Sequence, residues 1–282
     1  MDSLSIQKNK QIAKNTLYMY FRMVVLLIVS LFTARIVFNA LGINDYGLYN
    51  VVGGIIVFFT FLNNGLATAT RRYITADIAE GNLLKGRHTF NVCLKTHFII
   101  AAVILFLGET VGLWCVLNVL NIPEGREYAA MIVYQISIVT AIFSIVQSPY
   151  GSAIVAHEKM SIYAYFTIFD ALAKLMVCFF IKKWGGDKLV FYAFLIMGVA
   201  FFNLLMYVIY CLKNIKICVI EKTKDRQLLK EIFQFMSWSV LGQAAVVGTN
   251  QGVSLLVNVY HNVAVNAAMG VSNTITQVVS QF

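Results

Sequence analysis

The stretch Asn15–Arg72, NTLYMYFRMVVLLIVSLFTARIVFNALGINDYGLYNVVGGIIVFFTFLNNGLATATRR, holds two apolar runs, Leu17–Leu41 and Leu48–Thr70. The link between them, Gly42-Ile43-Asn44-Asp45-Tyr46-Gly47, is short. A helix rises about 1.5 Å per residue, so about twenty residues cross a hydrocarbon core of roughly 30 Å. Each run is longer than that, and the link is too short to do anything but join two antiparallel membrane helices. A weak echo of the pattern lies near the other end of the chain. Val37-Phe38-Asn39 aligns with Leu256-Val257-Asn258 when Leu48 is laid over Ala267. Internal repeats of this kind are a mark of two-lobed transporters.

Composition points the same way. Hydrophobic residues make up 59% of the chain and charged residues 12%, against roughly a half and a quarter in soluble domains. Mean hydropathy is +0.75. The net charge of +9 does not imply nucleic acid, because the cations sit mostly in short links between apolar runs, where they set topology and meet anionic lipid heads. The five cysteines are scattered and read as small apolar residues.

Further runs predict helices at Phe90–Leu117, Tyr128–Ile154, Ile162–Ile181, Leu189–Leu212 and Ile232–Tyr260, and an eighth from Val263. The expected fold class is all-α, a polytopic membrane bundle. Residues 1–212 form a six-helix lobe, residues 213–231 a basic cytoplasmic linker that is amphipathic and lies on the membrane surface, and residues 232–282 the start of a second lobe. The helix ending on Phe282 has neither a C-cap nor a polar tail, and from this we expect a truncated chain. Alternate links carry fourteen Lys and Arg on the side of the N-terminus against four on the other. This places the N-terminus in the cytoplasm.

No nucleotide, metal or nucleophile-elbow motif occurs, and no cofactor or metal site is expected. The candidate site residues are therefore the polar groups at membrane depth. Asp170 and Lys174 stand one helical turn apart, acid before base. A bare charge at that depth costs roughly 2.5 kcal/mol or more, so the two neutralise each other or line a watery cavity. Arg35, late in the first helix, either snorkels outward or points into a cavity as a two-pronged phosphate ligand. Arg22 is expected to snorkel to the head groups. Arg71 and Arg72 close the second helix, as topology signals or as captors of an anionic head. Asn63, Asn64, Asn250 and Gln251 are amides suited to sugars. Gly248 and Gly252 form a GxxxG for close packing.

Several segments together resemble a known family. These are FTARIVFNALGINDYGLYNVVGG (Phe32–Gly54), LATATRRYITADIAEGN (Leu66–Asn82), SPYGSAIVAHEKMSIYAYFTIFDALAKL (Ser148–Leu175) and VNAAMGVSNTITQVVSQF (Val265–Phe282). The chain is similar to the O-antigen flippases, or lipopolysaccharide biosynthesis proteins, of the multidrug/oligosaccharidyl-lipid/polysaccharide exporter superfamily. The resemblance implies two six-helix lobes around a central cavity and alternating access. It also implies passage of an undecaprenyl-pyrophosphate-linked oligosaccharide across the bacterial cytoplasmic membrane for surface polysaccharide biosynthesis, without bond-breaking chemistry. Arg35, Lys174 and Arg71 are the positions that would meet the pyrophosphate. Partners would be that lipid, membrane lipids and polysaccharide assembly proteins. The competing readings are a cation-coupled small-molecule antiporter using Asp170, a membrane polysaccharide polymerase or glycosyltransferase, and a non-transporting assembly subunit. The short Asn118–Glu127 link disfavours the polymerase.

Overall fold

The computed structural model of the chain describes residues 3–57, 60–118, 122, 124–221 and 225–260, without the side chains of 3–8, 43–44, 50–51, 53–57, 60–62 and 246–260. The described residues form helices and no strands: α1 Ser3–Val57, α2 Thr60–Ala79, α3 Leu83–Leu107, α4 Leu113–Asn118, α5 Glu127–Ala156, α6 Met160–Lys183, α7 Lys188–Asn214 and α8 Arg226–Tyr260. Five described stretches are long and apolar enough to cross a membrane: Asn9–Gly42, Leu83–Asn118, Glu127–Ala156, Met160–Lys183 and Lys188–Asn214. The helix expected from Val263 lies outside the described residues.

The predicted hairpin is present, and its turn is sharper than expected. A single residue, Gly42, breaks α1 at φ 80°, ψ 173°. That backbone region suits glycine and strains other residues. Before the break, α1 runs alongside α6. Tyr18 meets Tyr165 edge-on at 6.1 Å, and Val37 packs with Val177 and Ile181. After it the chain runs back alongside α5. Leu48 and Val52 pack with Ala130, Val133 and Leu189, and Ile74 packs with Tyr150 and Ile154. The remaining spans alternate likewise. α8 sets out beside the start of α3, where Asp225 lies 3.4 Å from His88, and reaches Gly65, whose carbonyl accepts a 3.0 Å hydrogen bond from Ser239 Oγ.

Two links differ from the sequence expectation. The stretch between the runs ending at Thr70 and starting at Phe90 is mostly helix: α2 continues to Ala79, and the turn is confined to Glu80–Asn82, with Gly81 at φ 71° and Asn82 capping α3 through Lys85 N. The basic link after α7 is not one surface helix. Residues 215–221 are non-helical and packed into the bundle, with Ile215, Ile217 and Cys218 buried. Asn91 on α3 holds this segment from both sides, donating to Val219 O at 2.7 Å and accepting from Glu221 N at 2.9 Å. Gly86 leaves room for Ile217, whose Cγ2 would lie 3.1 Å from an added Cβ. Asp225 then caps α8 by accepting from Leu228 N at 2.9 Å, a bond that holds its carboxyl below the ordinary value.

At the opposite end, Arg126 joins three links. It bonds both carboxylate oxygens of Asp45, with Nε–Oδ1 at 2.9 Å, and reaches Asp187 Oδ2 at 2.7 Å. Asp187 also caps α7 through Leu189 N and Val190 N. The bond to Asp45 is the main cause of a raised Arg126 pKa, so the guanidinium stays charged. Arg126→Ala would strand two carboxylates. These groups are partly solvated, and we expect a loss of roughly 1–2 kcal/mol, read as a lower melting temperature in detergent.

A further close contact joins α2 to α8. A Cβ on Gly65 would sit 2.9 Å from the Cα of Val240. Gly65→Ala must therefore push α8 backbone aside, and crosslinking between cysteines placed at Leu66 and Met236, which share a cluster, should fall in that background.

Candidate functional site

Four helices leave a polar cavity of about 370 Å³ between them. Each contributes one stripe. α6 presents Tyr163, Thr167, Asp170 and Lys174, and α7 presents Ile196, Ala200, Asn203 and Tyr207. Both series follow i, i+4, i+7, i+11, the spacing of one helical face. α2 adds Asn63, Asn64, Ala67 and Arg71. α5 adds Thr140, Ser144, Gln147, Ser148, Gly151, Ser152 and Val155.

An ion pair is part of the lining. Lys174 Nζ donates to Asp170 Oδ2 at 2.7 Å, and Asn203 Nδ2 approaches Asp170 Oδ1 at 3.4 Å. The Asp170 side chain is 22% exposed and that of Lys174 42%, so the cation is the more accessible of the two. Across the cavity Asn63 Nδ2 donates to Ser144 Oγ at 3.2 Å. The side-chain oxygens of Asn63 and Asn203 are buried without a partner among the described residues. The hydroxyls of Thr140, Ser152 and Thr167 are spent on backbone carbonyls.

Of the residues singled out from sequence, the cavity brings together Asn63, Asn64, Arg71, Asp170 and Lys174. Arg35 is exposed on α1 and is not among its lining residues. Arg72 is also absent from the lining. Its guanidinium carbon lies 4.6 Å from the centre of the Phe235 ring, a cation–π contact between α2 and α8. The side chains of Asn250 and Gln251, and the packing of Gly248 and Gly252, lie outside the described residues. The Arg22 guanidinium reaches back toward the start of α1, 3.8 Å from Met19 Sδ and 4.9 Å from the centre of the Tyr163 ring on the cavity wall, and its Nε is buried without a partner among the described residues.

Sequence reasoning missed Thr140, Ser144, Gln147, Ser152, Tyr163, Thr167 and Asn203. The signal was present: on α5 and α6 these polar residues recur on one face of otherwise apolar helices. A second GxxxG also went unremarked. Gly108 and Gly112 bracket a π-helical turn, Gly108–Gly112, between α3 and α4. Tyr134 of α5 fills the gap and donates from its hydroxyl to Gly108 O at 2.7 Å.

No protein-family model matches the sequence, and no curated protein matches it. Solved structures do match. One is a multidrug-resistance MATE-family transporter of the MOP superfamily in an outward-facing conformation, with TM-score 0.69, 13% identity, and coverage of 86% of this chain and 54% of that one. The fold is that of the MOP-superfamily transporters. A second match is a MOP-superfamily transporter from Pyrococcus furiosus, with TM-score 0.65, 14% identity, and coverage of 88% and 54%; reverse polarity of its binding pocket is described as suggesting a different function. A third, named protein A, gives TM-score 0.76 at 11% identity and covers 96% and 61%. The chain thus spans a little over half the length of the structures it matches, and the shared fold is that of multi-pass membrane transporters.

Proposed function

We propose that the chain forms the substrate-holding helical lobe of an exporter that moves a lipid-linked, pyrophosphate-bearing oligosaccharide across the bacterial cytoplasmic membrane, with assembly proteins of a surface polysaccharide as partners. The observation that carries this reading is the lining of the cavity: amides and hydroxyls from α2 and α5 face two cations, Arg71 and Lys174. Sugars are recognised by hydrogen-bonding side chains, and a diphosphate by charge-assisted contacts. The basic end of the bundle, with the N-terminus and the link after α7, faces the cytoplasm in this reading. Transport needs no covalent step, so the chain acts as a carrier and not as an enzyme.

A second reading has its own observation. Asp170 is a membrane-depth carboxylate held by Lys174 and Asn203, a group that a cation-coupled antiporter could protonate or load.

The two readings separate in proteoliposomes. Arg71→Ala and Asn64→Leu should each slow the flipping of a fluorescent undecaprenyl-pyrophosphate oligosaccharide by about tenfold, a loss of about 1.4 kcal/mol. Unchanged flipping in both variants, with proton- or sodium-driven dye efflux lost in Asp170→Asn, would replace the first reading by the second.

A further inference from the structure

A second cavity of about 390 Å³ lies beside the first, between α1 and α6, with Tyr192 of α7 closing one side. It differs in chemistry. α1 supplies Leu26, Val29, Ser30, Thr33, Ala34 and Val37. The two hydroxyls in that series are already engaged: Ser30 Oγ donates to Leu27 O at 2.8 Å and Thr33 Oγ1 to Val29 O at 2.7 Å. The Leu26–Val37 stretch is therefore apolar in effect, while Tyr46 and Tyr49 beyond the Gly42 break bring two phenol rings to the same cavity. Ser30 and Ala34 are exposed, so it is also accessible.

The two cavities share two lining residues, Asp170 and Lys174. The ion pair thus stands as a partition between a polar chamber and a mostly apolar one. Asp170 already receives hydrogen bonds from Lys174 and Asn203. The ammonium has three donor hydrogens, and its one bond among the described residues is to Asp170. The partition thus offers donors rather than acceptors. A ligand that satisfies both chambers has an anionic head and a hydrocarbon chain.

We propose that the α1–α6 chamber is a lipid-chain site, in which an anionic lipid lays its chain along Leu26–Val37 and its head group at Lys174. The site deepens the exporter reading and rests on it for the class of ligand. It accounts for the lipid part of a substrate whose polar part the first cavity would hold. Apolar contact supplies the affinity of the chain, and the cation selects the head.

The test uses the full chain in nanodiscs with a phosphatidic acid that carries a photoreactive diazirine in its acyl chain. Labelled peptides are mapped by mass spectrometry. We expect labelling to concentrate on residues 26–37 and 171–174, and to fall by about tenfold in Ala34→Trp, which fills the chamber from its exposed side. Lys174→Gln should cause a similar fall, and Lys174→Arg should restore labelling. A phosphatidylcholine probe with the same chain should label the chamber weakly. Three results would overturn the site: labelling spread evenly over the exposed apolar faces of α3 and α7, labelling indifferent to Ala34→Trp, or equal labelling by the two head groups. Binding is read without transport. A chamber that binds lipid in a protein that does not flip would leave the site standing and remove the exporter reading, and the reverse result would do the opposite.

Discussion

Lys174→Ala is expected to destabilise the protein by roughly 1–2 kcal/mol, the scale of stranding one charge of a partly solvated pair. The mutation leaves Asp170 with only the 3.4 Å amide contact of Asn203. Asp170→Ala should have a comparable effect by stranding the ammonium. The double variant Asp170→Ala/Lys174→Ala should recover most of the loss, because removing both charges of a partly buried pair is milder than removing one. The coupling measured by the cycle is therefore large and favourable to the pair. Melting temperatures of the four proteins in one detergent provide the measurement. Additive losses would mean that water in the cavity solvates each charge separately, and that the pair does not act as a unit. Transport assayed on the same proteins adds a second reading, since a recovered fold without recovered transport gives the charges a role beyond stability.

The second large effect belongs to Gly112. A Cβ there would lie 2.0 Å from Tyr134 Oη, inside any allowed contact distance. The Tyr134 ring is fully buried among Val116, Ala130, Val133 and Ile138, so it cannot swing away cheaply. Gly112→Ala should lose the hydroxyl's bond to Gly108 O and overpack the α3–α5 seam. Together these amount to roughly 2–4 kcal/mol. Tyr134→Phe removes the offending oxygen, and the next ring atom stands 3.2 Å from the added methyl. The double variant Gly112→Ala/Tyr134→Phe should accordingly be more stable than Gly112→Ala alone. If it is not, the π-helical turn rather than the tyrosine is the origin of the loss.

Much of the fold was legible because hydrophobic length dominates in a bilayer-spanning chain. The runs at Tyr128–Ile154, Ile162–Ile181 and Leu189–Leu212 became α5, α6 and α7 with ends moved by only one or two residues. Polar helix ends were harder. Arg71, Arg72, Lys85 and Arg87 suggested a loop by charge, yet they sit on α2 and α3, because helix continuing past the apolar core keeps its backbone paired. The segment after α7 was misjudged for a related reason. Its cations are evident in the sequence, whereas the anchoring by Asn91 joins residues far apart in the chain, which no local pattern reveals.

The site was half legible. Asp170 and Lys174 stood out because charge is rare at that depth. Asn203 and Ser144 did not, since one amide or hydroxyl within an apolar run is common in packed helices. Their meaning arises only when α5, α6 and α7 bring them to one space. Arg35 shows the converse, a conspicuous residue that is not among the cavity's lining residues.

The grip of Asn91 on Val219 and Glu221 bears on how force would pass along the polypeptide. A connector gripped by amide hydrogen bonds so soon after leaving α7 has little slack. Any swing of α8 would pivot close to His88 and Asp225 and be felt by α3. Asn91→Ala would unfasten that root, turning a stiff lever into a loose leash, and its signature would be faster amide exchange confined to residues 215–221.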